Sequence, residues 1–310
     1  MKHIEEVPWW ICDEDDTNYC AYSDTDSVYL CAEPLLRYLH STFDEMSSEE
    51  KDEELEKIAL YYQDYITDSY DALATDCFNV STHRLEMKTE CVIRSAYFRA
   101  TRRYAQWITK QEGITKEKLD VKGLEFKKAN FPQVLGKFFR QVLVDVLKGA
   151  QQSEIDKRVK EFKKQILSGD ISLADLGNPT GVKTLNKYTG SKPKAGEMFT
   201  TMVKGAPVSA KAAAVYNDLI RFWGLNKDHS YIVQGDKIKY VYLKPNPYQI
   251  DALGFLSFDI PDKIAEFMEK YADRQKIFDS ILLNKLEGFY DDLGWSLNLN
   301  PYRSVFFNFD

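Results

Sequence analysis

Two β-rich runs near the start of the chain, Asn18-Tyr19-Cys20-Ala21-Tyr22 and Ser27-Val28-Tyr29-Leu30-Cys31, are separated only by Ser23-Asp24-Thr25-Asp26. Strand formers this close, joined by Asp, Ser and Thr, predict a hairpin whose tip carries two carboxylates. In extended chain Asp24 and Asp26 lie two residues apart, point to one side and can converge on a cation. Carboxylate oxygens at one spot suit Mg²⁺, a hard ion that keeps substrate phosphates in its shell. Asp and Ser are also common in turns for a purely structural reason, since they hydrogen-bond local backbone.

Downstream, Met46 to about Asp76 is helical in composition and acidic at its start, with Leu55, Ile58, Ala59, Tyr62, Tyr65 and Ile66 on one face, as for a helix lying across a sheet. From Thr82 to Ile108 the alternation of Leu85, Met87 and Thr89 with Glu86, Lys88 and Glu90 predicts two strands meeting near Ser95, the second rich in basic residues. After Pro132 the period changes: Val134, Leu135, Phe138, Phe139, Val142, Leu143, Val146 and Leu147 recur at helical steps until Gly149, which places a domain boundary near Phe131-Pro132. Further helices are expected over Ser153–Leu167, Ser209–Phe222, Asp262–Tyr271 and Arg274–Glu287, with a Gly/Pro/Lys-rich connection from Gly177 to Gly196. Tyr231–Val233 and Lys237–Leu243 around Gly235-Asp236 read as a strand pair. The expected class is α+β, without internal repeats.

A length of 310 residues suits two domains, and 44% hydrophobic with 29% charged residues is ordinary for a soluble globular protein. No apolar run approaches the roughly 18 residues of a membrane span, and Met1-Lys2-His3-Ile4-Glu5-Glu6 lacks a signal-peptide layout, so a cytosolic protein without a membrane partner is expected. Cys12, Cys20, Cys31, Cys77 and Cys91 form no C-x-x-C pair and have no histidine at zinc-ligand spacing; they read as reduced, mostly buried thiols. Hydrolase triads and nucleotide-binding loops find no support, because G-x-S-x-G, Walker A and G-x-G-x-x-G stretches do not occur. The net charge of −7 hides an asymmetry: residues 1–80 carry 4 basic against 21 acidic residues, leaving 37 against 27, with the basic excess concentrated between Ser81 and Lys211. A polyanion would be drawn to the later part, although solvated faces that happen to differ would give the same totals.

The stretch Tyr22-Ser23-Asp24-Thr25-Asp26-Ser27-Val28-Tyr29 resembles the Y-x-D-T-D-S catalytic motif of family B DNA polymerases. In the same order, Arg102-Arg103-Tyr104-Ala105 resembles the family's K-K-R-Y-A element, and Lys122-Gly123-Leu124-Glu125 with Lys127-Lys128 and Pro132 its palm-to-thumb segment. Val215-Tyr216-Asn217, Gly235-Asp236-Lys237 and the Phe-rich terminus resemble the thumb and tail of T-even-type bacteriophage replicative polymerases, so the likeness runs from about Asn18 to Asp310. A D-x-x-S-L-Y-P motif, a K-x-x-x-N-x-x-Y-G fingers helix and an editing exonuclease do not occur.

The resemblance implies the C-terminal half of a split polymerase: part of the palm over residues 1–131, a mainly helical thumb over 132–300 and a clamp-binding tail over 301–310. It implies two Mg²⁺ shared with a separately encoded N-terminal half that brings the exonuclease, the other palm aspartate and the fingers. Asp26 would be the direct metal ligand, Asp24 an electrostatic support beside it, and Thr25 and Ser27 braces of the turn after Tyr22. Glu90 resembles a family glutamate close to the metal, or is a surface acid on a strand. Arg102, Arg103 and Tyr104 would meet primer-template DNA, with Thr101 standing where the family has its first lysine; Lys127, Lys128 and Lys211 would grip its backbone. Phe306, Phe307 and Phe309 would dock in a sliding clamp, or fold back on the helices. The implied reaction adds a dNTP to a primer in the cytoplasm of an infected host cell. The competing expectations are a noncatalytic polymerase remnant that binds DNA and clamp, and a piece of a longer polymerase.

Overall fold

Tyr22 faces Tyr29, and Asp24 faces Ser27, across the expected hairpin of β1 (Cys20–Asp24) and β2 (Ser27–Leu30). The computed structural model describes residues 19–191, 193 and 197–297, and its chain falls into two units that divide after Leu124. Its class is mixed α+β, and the three sheets of the described residues are all antiparallel.

In the first unit, α1 (Glu33–Leu39) leads to α2 (Ser48–Ala72), which begins at a capping box. The Glu50 amide donates to Ser47 Oγ at 3.2 Å, and the Ser47 amide donates to Glu50 Oε2 at 2.7 Å, which satisfies two otherwise orphaned donors. Ile58 of α2 buries against Leu36, Leu39 and Phe43, with Leu55 and Tyr62 half-buried beside it. The apolar stripe runs on past this cover, and Tyr65, expected on the buried face, is 62% exposed. A π-turn over Leu73–Cys77 ends the helix.

The meander β3 (Cys91–Ala100), β4 (Arg103–Gln111) and β5 (Ile114–Lys122) follows, with Val92, Tyr97, Ala105, Trp107, Ile108, Leu119 and Val121 buried. Its first reversal lies at Thr101-Arg102, not near Ser95. Ser95 pairs with Trp107 within one long strand, and Arg102 takes the turn at φ 60°. The alternating stretch before Cys91 forms no strand: Gln63 and Thr67 of α2 accept from the Thr89 and Met87 amides at 2.7 and 3.3 Å, occupying groups a ladder would use.

The second unit opens with a 3₁₀ turn, Glu125–Lys127, which belongs to the helices that follow. Phe126 packs on Phe139 with ring centroids 4.9 Å apart, and Phe131 is buried, so the division falls ahead of the Phe131-Pro132 boundary expected from periodicity. Helices α3 (Gln133–Leu147), α4 (Gln152–Ser168) and α5 (Leu173–Leu176) precede β6 (Asn178–Gly181), α6 (Leu185–Tyr188) and α7 (Val208–Phe222). Then come β7 (Lys237–Tyr242), β8 (Ala252–Phe255), α8 (Asp262–Tyr271), α9 (Arg274–Ile277), a π-turn over Phe278–Leu283 and α10 (Asn284–Asp292).

β7 pairs with β6 and β8, not with Tyr231–Val233. The Asn217 side chain claims that segment instead, donating to the Ile232 carbonyl at 2.8 Å and accepting from the Ile232 amide at 2.7 Å. Among the described cysteines, Cys20 and Cys91 are half-buried and Cys31 and Cys77 exposed, contrary to the expected burial, and all are free thiols. They stand at hairpin ends and beyond a helix end, where little covers them. No helix of the described residues is long and apolar enough to cross a membrane.

A candidate metal site at the hairpin tip

The tip reverses the chain in two residues. Thr25 sits at φ 58°, where a β-branched residue is strained, and the Asp26 amide donates to the Asp24 carbonyl at 2.8 Å. Thr25 Oγ1 donates to Asp24 Oδ1 at 3.1 Å, and Ser27 Oγ to the Asp24 carbonyl at 3.1 Å, so both hydroxyls tie the turn to one residue. The tight reversal replaces the extended geometry on which convergence of the two carboxylates was expected.

Asp24 is taken up by Arg102. The guanidinium donates through Nε to Oδ2 at 2.8 Å and through Nη2 to Oδ1 at 3.1 Å, the forked pairing that suits Arg to carboxylates. The Arg102 amide donates to Tyr22 Oη at 3.0 Å, so the β3–β4 turn is held from two points of β1. Arg102 keeps the Asp24 carboxyl below its ordinary pKa.

Behind this latch, the cross-strand pair Tyr22 and Tyr29 meets the cross-strand pair Phe98 and Tyr104. All six ring pairs have centroids 5.4 to 5.8 Å apart, within the range where aromatic pairs attract. Tyr29 and Tyr104 hydroxyls lie 3.2 Å apart, and burial, reinforced by that contact, pushes the Tyr29 phenol up. The two hairpins are thereby fixed face to face.

Asp26 stands differently from its neighbour. Its side chain is exposed, makes no hydrogen bond or ion pair with another described residue, and lines a cleft of about 600 Å³. The cleft runs between β2 and residues 86–93 over the apolar face of α2, and Glu90 lines it too. The Glu90 carbonyl accepts from the Glu112 amide at 2.9 Å, while its exposed carboxylate has no partner among the described residues. Asp26 and Glu90 thus leave two carboxylates without an ion pair on one cleft, and Asp24, with both oxygens on Arg102, does not join them; among the described residues no three His, Cys, Asp or Glu side chains gather as a ready metal site.

The other expected residues are dispersed. Arg103 and Tyr104 open β4, partly buried. In the second unit Lys128 is exposed, and Lys211 lies 3.9 Å from Asp251. The Lys127 side chain and Phe306, Phe307 and Phe309 lie outside the described residues. Sequence reasoning missed the Asp24–Arg102 latch and the packing of Phe98 on Tyr22 and Tyr29, contacts that reach back about 70 to 80 residues and leave no local signal. A scan against protein-family models matches none of them, and a search of curated proteins finds no relative.

Proposed function

We propose that the chain is the C-terminal part of a split family B-type DNA-directed DNA polymerase, inactive until a partner chain completes its metal centre. The observation that carries this reading is the unpaired Asp26 carboxylate, set at a braced hairpin tip beside the cleft it shares with Glu90. Asp26 and Glu90 would hold Mg²⁺ together with a carboxylate of the partner. Mg²⁺ held there would supply Lewis-acid stabilisation of the attacking and leaving oxygens of an in-line displacement.

In the proposed reaction the primer 3′-oxygen bonds to the α-phosphorus of a dNTP as the bond to the bridging oxygen breaks, and pyrophosphate leaves. Asp24 acts as a positioning residue: its fork with Arg102 and the four-ring cluster hold the tip so that Asp26 does not need to be ordered at each turnover. Arg103 and Tyr104 would lie along the primer-template, with Lys127, Lys128 and Lys211 meeting backbone phosphates, contacts that carry affinity without reading sequence. Phe306, Phe307 and Phe309 would tether the chain to a sliding clamp, and a host-cell cytoplasm is the compartment this activity needs.

Primer extension with Mg²⁺ and dNTPs tests the reading, using this chain, the candidate N-terminal half, and the two mixed. Extension should occur only in the mixture and disappear with Asp26→Asn, while circular dichroism of that variant stays unchanged. Undiminished extension by Asp26→Asn would sink the ligand assignment. DNA binding without extension in any mixture would leave a binding module.

A further inference from the structure

α2 is covered along one side only. Leu55, Ile58 and Tyr62 pack on the core of the first unit, whereas Leu60, Tyr61 and Tyr65, 46%, 36% and 62% exposed, stand on the far side. Tyr61 and Tyr65 are four residues apart and share one face, on which Asp64 and Asp68 also fall at helical steps. Both carboxylates are exposed and make no ion pair or hydrogen bond among the described residues, while Lys57 of the same face is held by Glu54. Ring faces and carboxylates both attract cations, so the stripe is suited to a basic surface. A nucleic acid or an anionic membrane is repelled by it.

The second unit carries the complement. α4 buries Ile155, Val159, Phe162 and Ile166, which leaves Lys157, Lys160 and Lys164 exposed on its outer side, with Glu161 among them and no ion pair to any of the three lysines among the described residues. Lys157 to Lys164 and Tyr61 to Asp68 each extend over two helical turns, about 11 Å, so the two stripes match in length. We infer that the outer face of α2 in one copy of this chain docks on α4 of a second copy, with the lysines reaching the Tyr61 and Tyr65 rings and the Asp64 and Asp68 carboxylates. The chain makes lysine–tyrosine contacts within itself, Lys276 Nζ lying 4.8 Å from the centre of the Tyr242 ring and Lys187 Nζ 5.4 Å from that of Tyr188. Two turns of one helix on another cover far less than the roughly 1,200 Å² of a stable complex, so the contact is weak, and its exposed charges make it fade with salt. It does not depend on the polymerase reading.

Sedimentation velocity of the full chain over a concentration series tests this at about 10 mM salt, where charges are felt over about 30 Å, and at about 1 M, where they are felt over about 3 Å. Association should appear at low salt, grow with concentration and vanish at high salt. Asp64→Lys/Asp68→Lys should abolish it, and so should Lys157→Glu/Lys160→Glu/Lys164→Glu, with circular dichroism showing that each variant folds. Mixing these two variants should restore association, because each reversed face then meets an opposite charge. Tyr61→Ala/Tyr65→Ala should weaken it at least about fivefold, whereas Glu45→Lys/Asp76→Lys, the same change of charge away from the face, should associate as the unaltered chain does. A chain that stays monomeric at low salt throughout the series, or a mixture of the reversed variants that stays dissociated, overturns the inference. Association lost with Glu45→Lys/Asp76→Lys overturns it by assigning the effect to net charge. Association lost with the α2 reversal but kept with the α4 reversal gives the α2 face to another surface and overturns it as well.

Discussion

Gly123→Ala should damage the hairpin seam through backbone alone. Gly123 follows β5 at φ 62°, and a Cβ built there falls 2.1 Å from the Arg102 carbonyl oxygen and 3.2 Å from Arg103 Cγ. Ordinary close carbon–oxygen contacts are about 3.3 Å, so the methyl group intrudes by about 1.2 Å on a main-chain atom that no rotamer change can move. Holding an L-residue in the left-handed region costs about 1–2 kcal/mol, and overpacking of this kind about 1–3 kcal/mol. The expected loss is therefore about 2–5 kcal/mol, relieved only if the Thr101-Arg102 turn swings away. That movement would pull the guanidinium from Asp24 and the Arg102 amide from Tyr22 Oη. Urea denaturation measures the first effect, and hydrogen exchange of the Arg102 amide the second. A loss under about 1 kcal/mol together with unchanged protection at Arg102 would refute both the clash and the claim that this turn anchors the tip.

Other consequences are equally open to measurement. Because Arg102 depresses the Asp24 pKa, the latch is present above the ordinary aspartate pKa of about 3.9 and is lost as pH falls through the lower folded value. Carboxyl NMR should show Asp24 titrating low, and Arg102→Ala should return it toward the ordinary range; a low value that persists in the variant would assign the shift to another cause. In the second unit Asp218 is only 3% exposed and accepts from the Thr200 amide at 2.5 Å and Thr200 Oγ1 at 2.8 Å, with Arg221 at 2.8 Å. Asp218→Ala strips the Thr200 amide and hydroxyl of their charged acceptor, while the half-exposed Arg221 can turn to solvent, and should destabilise the protein by about 2–3 kcal/mol; an unfolding free energy in urea lowered by only a small fraction of that would contradict the buried role.

What the sequence made legible was local. The hairpin, α3, α4, α7 and α8 follow from turn chemistry and from apolar residues at 3.6-residue spacing, each signal complete within its own segment. β8 gave no such signal: Ala252-Leu253-Gly254-Phe255 is buried throughout, so nothing alternates, and Gly254 is there because α7 comes close, an added Cβ lying 3.0 Å from the Ala212 carbonyl. The strand expected over Tyr231–Val233 was lost to Asn217, a partner 14 to 16 residues away that periodicity does not weigh.

The same limit governs the site. In the sequence Asp24 and Asp26 are chemically identical carboxylates on one turn, and both qualified as metal ligands. Arg102, 78 residues downstream, separates them by taking both oxygens of Asp24. Its reach depends on a Thr101-Arg102 reversal that alternation had placed near Ser95. Asp26 stays outside this pairing, because the guanidinium turns its Nε–Nη2 edge onto Asp24. Removing Asp24 would therefore do more than delete an acid: it would release an exposed arginine beside the carboxylate proposed to hold the metal, where the two charges would compete with Mg²⁺ for each other. On this reasoning Asp24→Asn should weaken Mg²⁺ binding by the joined halves, and Arg102→Ala in the same chain should restore part of it.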